Sequence, residues 1–242
     1  MAAPESSLPA MPTTTLPTPT ADAVLERARS GLMPLAELLD QAQALQDRGQ
    51  AETAVALYAA WIAHTDSPFR HVACFNHGTV LATLNRDAEA EACYLQALAL
   101  QAHFPQARLN LGHALERRGD HEAALAQWQA VVDDTRPGAD EASIDQRALC
   151  LHALNNQARL NEQLRRFDRA EAQLRDSLTV KPDQFDVLQH YVHLRQKQCE
   201  WPLYETVGAV TANQLLVGTS ALAMLSVSDD PALQLLAAQR FV

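Results

Sequence analysis

Small and apolar side chains return at a fixed interval through the middle of the chain. Gly78 and Gly112 lie 34 residues apart, as do Asn76 and Asn110, Leu81 and Leu115, Ala90 and Ala124, and Tyr94 and Trp128. Within each copy the apolar spacing suits two short helices. The breaks suit a tight turn, at Gly119-Asp120 in the second copy and Asn85-Arg86-Asp87 in the first. Glycine tolerates the left-handed backbone that ends a helix, and aspartate caps the helix that follows. Upstream, Leu35 opens an earlier copy in which Gly49, Ala54 and Tyr58 stand for Gly119, Ala124 and Trp128. Ser67-Pro68 closes it, because a residue before proline avoids the helical region. Downstream, Asn156, Phe167, Ala170, Leu174 and Pro182 match again, now 46 residues after their counterparts. The extra length is an insertion at Pro137-Gly138 or a lengthened helix. Phe185, Leu188, Tyr191, Val192 and Leu194 recur at helical spacing and form one more first helix.

A period of 34 with a small residue early, alanine mid-unit and an aromatic after it resembles the tetratricopeptide repeat. That resemblance implies an all-α fold in which helix-turn-helix units stack into a right-handed superhelix. The units span 35–68, 71–104, 105–138 and 151–184, with a half-unit at 185–198. Residues 1–20 hold five prolines and read as an extended, disordered tail. Ala21 to Ser30 reads as a short helix stopped by Gly31. Residues 199–242 start something new. Thr206 to Val217 is expected to be helix, Ala221 to Val227 a strand or buried extended segment, and Asp229-Asp230-Pro231 a helix start.

Composition narrows the function. The formal net charge of −10 argues against nucleic acid as a partner. No run of about 18 apolar residues occurs, so no membrane span is expected. Cys74, Cys93, Cys150 and Cys199 show no metal-ligand spacing and read as reduced, mostly packed thiols of a cytoplasmic protein.

Chemistry-bearing motifs are sparse. No P-loop, GxGxxG, HExxH or GxSxG is present. His190 and His193 sit three apart on one helix, but neither cysteine nor acid completes a metal set in the sequence, so they read as packing or surface residues. Numbering each unit so that its small residue is position 8 puts Asn76, Asn110 and Asn156 at position 6 of three units. That position lies on the first helix, on the concave wall of such a superhelix. A column of amides offers a donor and an acceptor at each step, which matches the backbone of an extended peptide. The alternative is that these amides only solvate a helix face.

The segment Tyr191-Val192-His193-Leu194-Arg195-Gln196-Lys197-Gln198-Cys199-Glu200-Trp201-Pro202-Leu203-Tyr204 resembles a junction in SPINDLY-type protein O-linked N-acetylglucosamine transferases. There a last repeat helix meets a Cys-Asp/Glu-Trp element. Thr219 to Pro231, through Ser228-Asp229-Asp230, resembles the next segment of bacterial members. The resemblance implies that 199–242 is the truncated start of a glycosyltransferase domain. It also implies that the repeats recruit acceptor proteins along Asn76, Asn110 and Asn156. The donor UDP-GlcNAc would be bound by lobes beyond Val242, so the chain itself holds no cofactor and no catalytic residue. The apolar end, Leu235 to Val242, reads as cut and poorly packed in isolation. The second reading is a stand-alone adaptor for protein partners. Extended peptide segments, and self-association through the repeats, are the partners expected.

Overall fold

The computed structural model describes residues 20–136 and 143–239. The readings of residues 1–19, of the Pro137-Gly138 loop and of the end at Phe241-Val242 lie outside them. The described residues form α-helices and a single isolated β-bridge. They divide into two compact units, Met1–Ser67 and Pro68–Val242.

In the first unit, α1 (Ala21–Arg29) and α2 (Leu35–Asp47) both pack on α3 (Ala51–His64). The Thr20 hydroxyl caps α1 by accepting from the Ala23 N–H. Trp61 is buried, and its indole N–H donates to the Met33 carbonyl at 2.7 Å.

The second unit is a run of helix pairs. It comprises α4 (Arg70–Thr83), α5 (Asp87–Leu100), α6 (Pro105–Arg117), α7 (His121–Thr135), α8 (Ile144–Gln163), α9 (Phe167–Val180) and α10 (Phe185–Gln198). Each helix packs on the next, from α4 to α10. Pro105 opens α6, where its missing N–H is no loss. Ser143 and Gln146 form a reciprocal capping box that starts α8. That box lengthens α8 to 20 residues, against 13 in α6.

Every first helix ends in the same way. Gly49, Asn85, Gly119, Arg165 and Cys199 all have φ between 58 and 85°. The N–H of the following residue returns to a carbonyl one turn back: Asp120 to Leu115, and Arg166 to Asn161 at 2.8 Å. The turns at Gly49, Asn85 and Gly119 are legible as sequence. Arg165 and Cys199 are not, since L side chains other than asparagine and aspartate are uncommon there.

The reversal brings small residues against large rings. A β-carbon on Gly112 would lie 2.3 Å from the Trp128 indole nitrogen, and one on Gly78 would lie 2.8 Å from the Tyr94 ring. In the α8–α9 pair, Ala158 and Leu174 share one core cluster at the matching positions, a smaller side chain leaving room for the methyl.

That cluster also takes in residues beyond the repeats. Leu203, Val207, Val210 and Leu215 are buried with Leu188, Tyr191 and Val192 of α10. Thr206 to Val217 is not helical throughout. Val207 and Val210 close an antiparallel bridge around Gly208, and α11 (Ala212–Gly218) starts only at a second capping box, Thr211 with Gln214. The strand or buried segment expected at Ala221 to Val227 is instead α12 (Ala221–Val227), nucleated by the Ser220 hydroxyl on the Ala223 N–H. Leu222 of α12 is 80% exposed, so an apolar run here does not mean burial. In α13 (Pro231–Gln239) the Asp230 carboxylate accepts from the Ala232 N–H. In α12 and α13, Leu222, Leu225, Leu235 and Leu236 are exposed while Ala223, Met224 and Ala237 are buried.

A buried guanidinium joins the junction to the array. Arg195 is 4% exposed. It donates to Glu171 at 2.6 Å and to the Pro202 carbonyl at 3.0 Å, and it lies over the Tyr191 ring. Glu171 also receives Arg175 at 3.0 Å and Gln198 at 3.1 Å. Removing one partner of a buried pair leaves an uncompensated charge, so Glu171→Leu is expected to cost about 3–5 kcal/mol in urea unfolding. Gly112→Ala should lose about 1–3 kcal/mol in the same assay, because Trp128 is buried and hydrogen-bonded in place.

Candidate functional site

The three asparagines stand on α4, α6 and α8, the first helices of successive pairs, and all three are half-buried. Each amide is held by a partner within the fold. Asn76 Nδ2 donates to the Val72 carbonyl at 2.8 Å. Asn110 and Thr79 hydrogen-bond the Tyr94 hydroxyl, opposing the burial that pushes its pKa up. Asn156 Nδ2 lies 3.4 Å from His113 Nε2. Burial lowers the His113 pKa, which leaves the neutral ring as acceptor. The His113 ring stands edge-on to Trp128, with centroids 5.4 Å apart. An amide has two N–H groups and a carbonyl, so each side chain keeps hydrogen-bonding capacity beyond the bond that orients it.

Beside Asn110 is an open recess of about 330 Å³, lined by Thr79, Thr83, Tyr94, Asn110, His113 and Arg117 among others. Thr83 turns its hydroxyl back to the Val80 carbonyl, as Thr79 does to Phe75. Arg117 is anchored on Asp87 at 2.7 Å. The recess thus pairs ring faces with fixed polar groups. The sequence reading missed His113, although its place three residues after Asn110 puts both on one helix face.

Charged pairs tie consecutive first helices together along this wall. Arg159 of α8 donates to Glu116 of α6 at 2.7 Å. His190 of α10 lies 2.6 Å from Glu162 of α8, which Lys197 also approaches at 3.4 Å. Glu116 and Glu162 hold the same place in their units, four residues after Gly112 and Ala158. His190 therefore has an acid beside it that spacing within its own helix did not show, while His193 is exposed. No group of three metal-ligating side chains occurs among the described residues.

The cysteines are free. Cys74 and Cys150 are buried, whereas Cys199 is exposed at its left-handed turn. Cys93 Sγ lies 3.5 Å from His77 Nδ1. Burial pushes this thiol up to about 11 and lowers the imidazole, so the pair is a resting thiol beside a neutral ring.

A stack of two-helix repeats with a polar first-helix wall defines a class of protein-binding scaffold. Residues 75–140 and 151–184 each match a tetratricopeptide repeat model, and over these segments the chain carries tetratricopeptide repeats. A curated relative is the tetratricopeptide repeat and J domain-containing co-chaperone DNJ1 of Fusarium oxysporum f. sp. lycopersici. It is 28% identical over 120 residues, which is 50% of this chain and 22% of the relative. Solved structures share the fold. BtubC from P. vanneervenii superposes with a TM-score of 0.60 at 15% identity, over 87% of this chain and 92% of that one. YrrB, titled a TPR protein with an unusual peptide-binding site, gives 0.52 at 19% identity, over 91% and 100%. No described helix is long and apolar enough to cross a membrane.

His77 and His113 both have pKa values lowered from the ordinary 6.5, chiefly by burial. Over that window the unfolded chain binds more protons than the folded one, so stability rises with pH. It should be full above about 6.5 and lost as pH falls from there toward the folded values. Chemical denaturation between neutral and mildly acid pH should show this slope, and His77→Gln with His113→Gln should flatten it.

Proposed function

We propose that the repeats dock an extended segment of a partner protein along α4, α6 and α8. Asn76, Asn110 and Asn156 bond the segment's backbone, and the recess at Tyr94 and Arg117 seats one of its side chains. The observation that carries this reading is the recurrence of one oriented, half-exposed amide at the same place on three successive first helices. The peptide-binding site named for YrrB and the co-chaperone role of DNJ1 lend support. The free cysteines suit a reducing, cytoplasmic setting. The chain needs no catalytic group for this role.

The finer reading makes the repeats the recruitment arm of a protein O-GlcNAc transferase whose UDP-GlcNAc site lies in further sequence. It rests on the residues of 191–204 and 219–231. The exposed apolar side chains Trp201, Leu222 and Leu225 suit a covering domain, and equally a partner of an adaptor, either of which would remove them from water. A transfer assay with labelled UDP-GlcNAc on the product of the whole reading frame decides between them.

Backbone hydrogen bonds are worth about 0.5–1.5 kcal/mol each. Replacing Asn76, Asn110 and Asn156 together by alanine should therefore weaken binding of an array-selected unstructured peptide by about tenfold or more, with helicity retained. Unchanged affinity by fluorescence anisotropy would sink the reading.

A further inference from the structure

The recess beside Asn110 is lined mostly by polar residue types, yet their polar groups are already bonded within the fold. The Thr79 hydroxyl donates to the Phe75 carbonyl at 3.1 Å, and the Thr83 hydroxyl to the Val80 carbonyl at 2.7 Å. A threonine bonded back to its own helix in this way has its methyl left to offer a ligand. Tyr94 is buried, and its hydroxyl is hydrogen-bonded by Asn110 and Thr79. His113 Nε2 faces the Asn156 amide at 3.4 Å. Arg117 donates through Nε to Asp87 at 2.7 Å, and its Nη2 lies 2.5 Å from the same carboxylate oxygen. What remains for a guest is the methyl of Ala82, the methyls of both threonines, an uncharged imidazole and the aliphatic stem of Arg117.

Charge decides against an ionic guest. A carboxylate drawn to Arg117 meets Asp87 already seated on that guanidinium. An ammonium meets Arg117 itself. Either ion gives up water on entering and finds no counter-charge that is still unmatched. An apolar side chain leaves water for methyl and ring contacts, which is favourable in proportion to the area it buries.

We propose that this recess selects a leucine-sized apolar side chain, so that the partner segment carries an apolar anchor at one position. The proposal rests on the docking of that segment along Asn76, Asn110 and Asn156. Thr79, Ala82 and Thr83 supply the methyl walls and set the selection. The Arg117–Asp87 pair excludes ions of both signs, and Asn110 holds the backbone beside the anchor.

The test takes the array-selected unstructured peptide and replaces each position in turn by leucine, glutamine, glutamate or lysine. Affinity for the full chain is read by fluorescence anisotropy. At one position leucine should bind at least about tenfold more tightly than the other three, a ratio that burial of one such side chain supplies. Ala82→Leu fills the recess and should abolish that preference. Thr83→Leu, at an exposed position, fills it from a second wall and should act alike even if the first variant folds poorly. Asn76→Ala with Asn156→Ala should weaken all the peptides by a similar factor and keep the preference for leucine. The proposal is overturned if no position prefers leucine, if glutamate or lysine binds best at the position that these fillings affect, or if the folded Thr83→Leu variant keeps the preference. Peptides that bind alike at every position, yet weaken together in the asparagine variant, reject the apolar anchor and leave the asparagine column standing. A leucine preference lost on filling the recess, with affinity unchanged in the asparagine variant, upholds the anchor and rejects the column.

Discussion

The array depends on one backbone constraint, that the chain must reverse within a few residues after each first helix. A left-handed residue achieves this five times, at Gly49, Asn85, Gly119, Arg165 and Cys199. The reversal fixes which side chains meet. The residue 16 positions after the small one lands on it, Tyr94 on Gly78 and Trp128 on Gly112. With that contact set, the second helix presents its other side to the next pair, and stacking follows. The period of 34 is thus the length of chain that two helices and two reversals consume.

Much of this was legible because the same constraint acts repeatedly. A single glycine means little, but glycine, alanine and an aromatic recurring in register specify a helix pair. What could not be read is what happens once. Arg165 and Cys199 take the turn without the residue type that signals it. The apolar run at Ala221–Val227 fits strand and helix alike, and the decisive feature was the Ser220 cap rather than any periodicity. The asparagine column was visible as spacing. Its partners were not, since Tyr94 and His113 meet those amides only through the reversal and the stacking.

The end of the array shows how a repeat fold closes. A terminal helix has an apolar face with no further unit to cover it. Here α10 is covered by irregular chain carrying Leu203, Val207 and Val210 and by Leu215 of the short α11. Irregular chain brings unpaired carbonyls into the interior, and these need donors. Arg195 supplies one to Pro202 while its charge is met by Glu171. The buried ion pair therefore does positional rather than stabilising duty, since such pairs contribute little net stability once desolvation is counted. The junction and the last repeats share one core as a result.

The internal bonds of the asparagines bear on how a peptide would be held. A free amide on a helix face samples several rotamers and loses that freedom on binding. Asn76, Asn110 and Asn156 are already oriented by Val72, Tyr94 and His113, so little entropy is left to lose. The same bonds limit each amide to its remaining donor and acceptor, which suits a backbone rather than a crowded side chain. Selectivity must then come from elsewhere on the wall. The recess at Tyr94, His113 and Arg117 is the feature beside the column with the shape and fixed polarity to supply it. On the proposed reading, such a scaffold would tolerate many sequences along its length and select at one pocket.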